Sequence, residues 1–389
     1  MTALGAIDAI AGRLVVRPGT GQPLSGGRPV VTPSVMARLT RGLAADELPA
    51  RLGQLFSLCG TAHRMTARRA VRAARAETAG VRLAAAESPL LELWTAREHL
   101  QRLALDLPRR VPAAGVTADG AWLRDMPLRA LPDDAAADDA RTLQSLRTPL
   151  RKWLESQVLG GSADDWWTAW RQESQAADAD VADGPLAVWA RSRAQPVQRW
   201  LHAVRGAGRS LAVRGRPLDL ARVGVDGWHA LATRMALEDE FTRRPTWQGA
   251  PAETGCWTRA HGGGPASRPQ NAWMRWQSRL AELVQIATST RVLASGALPL
   301  DAGEGIAWTE MSRGLLVHWV RSAPHGGQAT VRDCRVLAPT EWNFHPDGAL
   351  ARALAAPGLA TDAVRAAVSA LDACVEVDLP ATASEAGRA

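Results

Sequence analysis

The stretch 271–293 places Trp273, Trp276, Leu280, Leu283 and Ile286 three or four residues apart, which predicts a long helix with one continuous apolar stripe. Helical spacing recurs over 47–58, 61–86, 88–106, 139–158, 163–174, 185–205 and 361–372. Another helix opens at Thr32-Pro33-Ser34, with Thr32 at the cap, Pro33 at the first helical position, and Val35, Leu39 and Leu43 on one face. Strand-like segments lie near both ends. Residues 7–10 and 12–16 are followed by a Gly/Pro-rich run to Pro29, and 305–322 with 328–338 read as a hairpin turning at Pro324-His325-Gly326-Gly327. Residues 108–138 read as a surface excursion, 175–184 as a connector, and 206–268 as shorter strands and loops. The expected class is α+β, mainly α.

A chain of 389 residues with 46% hydrophobic and 22% charged residues is long enough for a large core and ordinary for a globular protein. The formal charge of +7 is spread thinly, and all basic residues but Lys152 are arginine. Arg64 to Arg72 places charges at helical spacing, as one solvated helix face would. No basic block is interleaved with aromatics, so nucleic acid is not an expected partner. No window approaches the roughly 18 to 20 uninterrupted apolar residues of a membrane span. Four cysteines without a paired framework suit a reducing compartment, and no secretory pattern opens the chain, so the expected location is cytoplasmic.

Two of those cysteines have chemical neighbours. Cys59 and His63 stand four apart and share one face if helical, as a metal ligand beside a proton-handling His or as a buried Cys beside a satisfied one. Cys374 follows Asp372 and an apolar helix. Neither lies in a Cys-x-x-Cys pair, which argues against structural zinc. Cys256 and Cys334 have no ligand-like sequence neighbours and read as packing residues. No phosphate loop and no Ser-His-Asp context appears. The most specific blocks are Glu310-Met311-Ser312-Arg313-Gly314 through His318-Trp319, and Pro339-Thr340-Glu341-Trp342-Asn343.

Taken in order, these blocks resemble the large subunit of nickel-iron hydrogenases. Ala9 to Leu14 matches the opening Arg-Ile-Glu-Gly-His-Leu element, and Leu55 to His63 the Cys-x-x-Cys-x-x-x-His element. Glu253 to Arg259 matches Glu-Val-Gly-Pro-Leu-Ala-Arg, Glu310 to Trp319 matches Glu-Ala-Pro-Arg-Gly-x-x-x-His-Trp, and Pro339 to Asn343 matches Pro-Thr-Thr-Trp-Asn. Asp372 to Val377 falls on Asp-Pro-Cys-x-x-Cys. The resemblance implies a single domain over 1–389 with a large-subunit-like helical core and small peripheral β-sheets from both ends. Within it lie the N-terminal Cys element 51–70, a variable helical and loop region 107–250, and pocket elements 305–378.

Departures from the family carry the functional implication. Its four thiolates bind nickel, and two of them bridge to an iron with cyanide and carbon monoxide ligands. Here Phe56 stands at the first N-terminal Cys position and Val377 at the last; Cys59 falls on a bridging position and Cys374 on a nickel-only one. Ala11 replaces a Glu, Pro380 stands where a His is expected, and the cleavable C-terminal extension of active enzymes is expected to be missing. A complete nickel site and hydrogenase catalysis are therefore not expected. Metal ligation falls to Cys59 and Cys374. Arg313, Thr340, Pro339 and His63 form the expected surroundings of the cofactor, with the charge of Arg313 suited to cyanide and the Thr340 hydroxyl able to donate to it. The pattern is similar to hydrogenase accessory proteins of the HupK/HoxV type. It implies a non-enzymatic scaffold that transiently holds an Fe(CN)2(CO) fragment, with the large-subunit precursor and small maturation chaperones as partners. A metal-free docking protein and a divergent catalytic subunit are the alternatives.

Overall fold

The computed structural model describes residues 11–75, 89–118, 120–132, 140–175, 184–218, 223–261, 270–288, 293–301, 303–325 and 328–380. The expected strand at 7–10 and the Gly326-Gly327 turn lie outside these residues. Helix dominates, with two sheets.

The helix Ala272–Thr288 is the axis of the helical part, as its stripe predicts. Helices Pro89–Gln101, Arg147–Leu154, Ala163–Gln175, Cys256–His261 and Thr361–Leu371 pack around it. Trp276, Leu280, Leu283 and Ile286 are all fully buried, each aliphatic side chain contributing about 1.5–3 kcal/mol. Covering every side of this helix also buries Arg275, Arg279 and Glu282, and each has an ionic partner. The sequence expectation placed helix over 185–205 without a break. Pro196 divides it into Pro185–Arg191 and Pro196–Ser210, because proline starts a helix more readily than it continues one. The excursion 108–138 is only partly at the surface: Val111, Met126, Leu128 and Leu131 are core residues.

The four-stranded sheet runs β3 (Ser295–Pro299), β4 (Glu304–Met311), β5 (Gly314–His325) and β6 (Gln328–Leu337), antiparallel throughout. The expected strand 305–322 is therefore two strands. Met311 pairs with Gly314, leaving Ser312 and Arg313 as a two-residue hairpin loop. Gly314 has φ +136, and a Cβ there would come within 2.2 Å of Thr254 Oγ1. Side chains alternate between faces. Leu315, Val317 and Trp319 face the helix Val225–Leu237, where Trp228 stacks on Trp308 at 3.8 Å. Leu316, His318 and Val320 face the opposite way, toward Gly60–Ala74. Ala70, Ala73 and Ala74 let that helix lie close, since a Cβ on Gly305 would meet Ala74 N at 2.4 Å.

The Val225–Leu237 helix corrects the expectation of strands and loops over 206–268. Trp228, Leu231, Ala232 and Met235 form its buried stripe. The helix Pro33–Thr40 starts as predicted, but its most buried residues are Met36 and Thr40, and the Thr32 hydroxyl donates to the Pro29 carbonyl and accepts from no helix N–H. The second sheet joins the chain ends. β1 (Arg13–Val16) pairs antiparallel with β2 (Leu24–Gly27) and parallel with β7 (Glu376–Asp378). That pairing carries Cys374, two residues before β7, toward the N-terminal Cys element.

Candidate functional site

Cys59 caps the N-terminus of Gly60–Ala74, and Cys374 follows the last helix, Thr361–Leu371, which ends on Asp372 at φ +55. The two thiols are hydrogen-bonding neighbours. They are 3% and 8% exposed and border one cavity of about 410 Å³ together with Phe56, Val30, Val375 and Arg28. The backbone N–H of Cys374 donates to Thr340 Oγ1 at 2.9 Å, which fixes the Cys374 loop to the start of the short helix Pro339–Asn343. Pro339 opens that helix, where its missing N–H has no partner to lose.

The hydrogen bond from Cys59 holds Cys374 at a pKa of about 6 against burial, with Arg313 and Arg28 adding their charges. Cys59, as donor to that thiolate and itself buried, is held well above its ordinary value. A thiolate beside a thiol is a soft donor set with half its protons already removed.

Arg313 is brought to this pair by the β4–β5 loop. Its Nη1 donates to Glu98 at 2.9 Å and contacts the Leu58 carbonyl at 3.5 Å, and its Nε lies 3.7 Å from Asp372. Burial opposes its charge, but Asp372, the Cys374 thiolate and Glu98 together hold its pKa above the ordinary arginine value. Asp372 also pairs with Arg102 and Arg279, at 2.8 and 2.9 Å. Thr340 lines an adjacent cavity of about 260 Å³ rather than the thiol cavity.

His63 stands one layer behind. It lies flat on Phe56 and its Nδ1 is 3.1 Å from His318 Nε2. Burial lowers both imidazoles, His318 to about 3, so the pair is neutral. Val377 lies in β7, packed on the cluster under that sheet and outside the thiol-cavity lining.

Sequence reading misses two features. Arg28, from the Gly-rich run, forms a buried bidentate pair with Glu341 at 2.8 and 3.0 Å; no local signal marks it. Cys256, read as packing only, has chemical neighbours: its sulfur lies with His99 and Glu282, their ligand atoms all within 4.8 Å. Arg279 donates to His99 Nδ1 at 2.9 Å, so His99 Nε2 carries the proton it gives to Glu282. Arg259 occupies Glu282 at 2.6 and 2.7 Å, and burial pushes the Cys256 thiol up to about 12. These groups are a satisfied hydrogen-bond network between two guanidinium ions. A cation would have to displace both.

Fold and site define a mainly helical protein with one buried thiol pair reached from opposite ends of the chain. Its curated relatives give the family. The chain is 36% identical over 387 residues to the hydrogenase expression/formation protein HoxV of Cupriavidus necator, covering 94% of each. It is 30% identical to HupV of Azotobacter chroococcum and 29% to HupK of Bradyrhizobium diazoefficiens, covering 88% of this chain in both cases. It belongs to the HupK/HoxV-type hydrogenase expression/formation accessory proteins. No profile of a known protein family matches. Among solved structures, it is similar to a [NiFeSe] hydrogenase of Dm. baculatum, at TM-score 0.46 and 11% identity over 92% of this chain and 94% of that one. Among the described residues, no helix is long and apolar enough to cross a membrane.

Proposed function

We propose that this protein is a maturation scaffold that receives an Fe(CN)2(CO) unit on Cys59 and Cys374 and releases it toward a hydrogenase large-subunit precursor. The observation that carries this reading is the convergence of those two hydrogen-bonded cysteines on one cavity. Low-spin iron favours thiolate donors, and two of them form a site weaker than a closed four-thiolate one, which suits release. From outside the cavity lining, Arg313 adds a fixed positive charge suited to anionic cyanide, and the Thr340 hydroxyl holds the Cys374 backbone N–H. Pro339 sets the helix that presents Thr340, and His63 backs Phe56. The relatives' names, hydrogenase expression/formation proteins, support the role, and small maturation chaperones and the large-subunit precursor are the partners it implies.

Infrared spectroscopy of protein purified without oxygen from a maturation-competent host tests this. The expected spectrum has two cyanide bands and one carbon monoxide band, abolished by Cys59→Ala or Cys374→Ala. A blank spectrum from folded wild-type protein defeats the reading.

A further inference from the structure

Arg28 is a buried charge that the family motifs leave without a role. It is 5% exposed and held on two sides: Nε and Nη2 donate to Glu341, and the guanidinium lies over the Phe56 ring at 5.4 Å. Neither bond to Glu341 uses Nη1. Arg28 also forms the wall between two cavities, bordering the thiol cavity on one side and the Thr340 cavity on the other. Its counter-charge does not follow it through that wall. Glu341 borders the Thr340 cavity only. The thiol cavity is therefore bordered by Arg28 without Glu341, and the carboxylate that does border it, Glu376, is exposed and paired with Arg13.

The other guanidinium groups near the thiols are less available. Arg313 directs Nη1 to Glu98 and the Leu58 carbonyl, and does not line the thiol cavity. Arg13 lines it, but is half exposed and tied to Glu376 and Asp378. A buried donor fork already held in place loses little freedom on binding, and its hydrogen bonds to an anion are charge-assisted.

We propose that Arg28 is the anion-holding residue of the thiol cavity, receiving a small linear anion of the cyanide type on Nη1 beside Cys59 and Cys374. For the iron unit this deepens the scaffold reading and rests on it: one cyanide would point at Arg28 rather than at Arg313. The capacity to hold a linear anion belongs to the cavity itself and is testable without iron.

The probe is thiocyanate, whose C≡N stretch is read by infrared titration of the full-length metal-free protein. Wild type should show a saturable, shifted band. Removing Arg28 alone would strand the buried Glu341 carboxylate, so the informative variant is Arg28→Gln with Glu341→Gln, which keeps a neutral hydrogen-bonded pair. It should bind about tenfold more weakly, while Glu341→Gln alone, which keeps the guanidinium, should retain binding. Independently of any variant, saturating thiocyanate should slow alkylation of Cys59 and Cys374. No saturable band, equal binding by the double variant, or no protection of the thiols would each overturn the proposal. Wild type that binds thiocyanate as expected but acquires no iron from its host would uphold Arg28 and defeat the cargo reading. Iron loading without thiocyanate binding would do the reverse.

Discussion

The phenyl ring of Phe56 lies flat on the imidazole of His63, with centroids 3.8 Å apart and planes 5° from parallel. Arg28 covers Phe56 at 5.4 Å, so the ring is held between an imidazole and a cation. A large ring thus fills the position where the resemblance expects a nickel thiolate, and it is part of the packing of the site rather than a gap in it.

Restoring cysteines at the two altered positions should therefore not restore nickel. Val377 lies in β7 and is not part of the thiol-cavity lining. The double variant Phe56→Cys, Val377→Cys should bind Ni²⁺ no more tightly than Phe56→Cys alone. Both should lose about 3 kcal/mol of stability through the lost ring. Nickel competition titrations with a chromophoric chelator check the first point and urea unfolding the second. A large gain in nickel affinity on adding Val377→Cys to Phe56→Cys would show that β7 shifts its register to bring the new thiol into the cavity.

The thiol pair makes a pH prediction. Cys374 is held at about 6, below the free-thiol value, so between about 6 and 8.5 the native state is ionised where the unfolded chain is protonated. Its stabilising contribution is present above the unfolded value and is lost as pH falls through about 6. Cys59 is raised, so its contribution has the opposite sign: present below the unfolded value and lost as pH rises through its high folded value. Alkylation with iodoacetamide under mild denaturant should show one thiolate forming near pH 6 and the second only at strongly alkaline pH. Cys59→Ala should move the first step upward, because it removes the proton donor that stabilises the Cys374 thiolate.

Much of this site is legible in the sequence because it lies in short blocks. The Cys59, Arg313, Thr340 and Cys374 blocks are singled out together by their order along the chain, which matches the elements of the resemblance. What the sequence does not record is who faces whom. Arg28 and Glu341 are 313 positions apart, and Cys256 meets His99 across 157. Nothing local marks such pairings, so Arg28 reads as part of a turn-rich run and Cys256 as packing. The helix Val225–Leu237 is hidden for another reason: its stripe is only about three turns long and flanked by Gly and Pro, which are loop signals. The hairpin loop at Ser312-Arg313 is hidden because both flanking strands are apolar enough to read as one.

Asp372 is a charge hub, and its removal should be costly. Burial opposes its ionisation, yet Arg102, Arg279 and Arg313 hold its carboxyl well below the usual range. Asp372→Asn keeps the left-handed backbone at φ +55, which Asn tolerates. The variant therefore isolates the charge. Three buried guanidinium groups would lose a shared partner, at a cost of about 3–5 kcal/mol. Urea unfolding at pH 7 checks this, and a loss within experimental error would mean that water compensates the arginines.

The buried imidazole pair should make the protein acid-sensitive well above the carboxylate range. His318 is lowered to about 3 and His63 well below its ordinary value, whereas both take a proton near 6.5 when unfolded. Stability from these groups is present above the unfolded value and is lost as pH falls toward the folded ones. Replacing His318 by Gln should flatten the stability–pH slope between about 4 and 6 by roughly one proton. Stability curves at several pH values would show it, and an unchanged slope would place the proton uptake elsewhere.

The Cys256 network supplies the sharpest contrast with the thiol pair. Although its three potential ligands lie within 4.8 Å, His99 has both nitrogens engaged and Glu282 is bound by Arg259. Cys256→Ala should thus leave metal content unchanged and cost only the packing of a small buried side chain, about 1 kcal/mol. Glu282→Gln, by contrast, should cost about 3–5 kcal/mol, because Arg259 would then be buried without its principal counter-ion. Metal analysis and urea unfolding of the two variants separate a charge network from a metal centre. A metal bound by wild type and lost in Cys256→Ala, with Cys59 and Cys374 intact, would mean that the guanidinium pairs open to admit a cation.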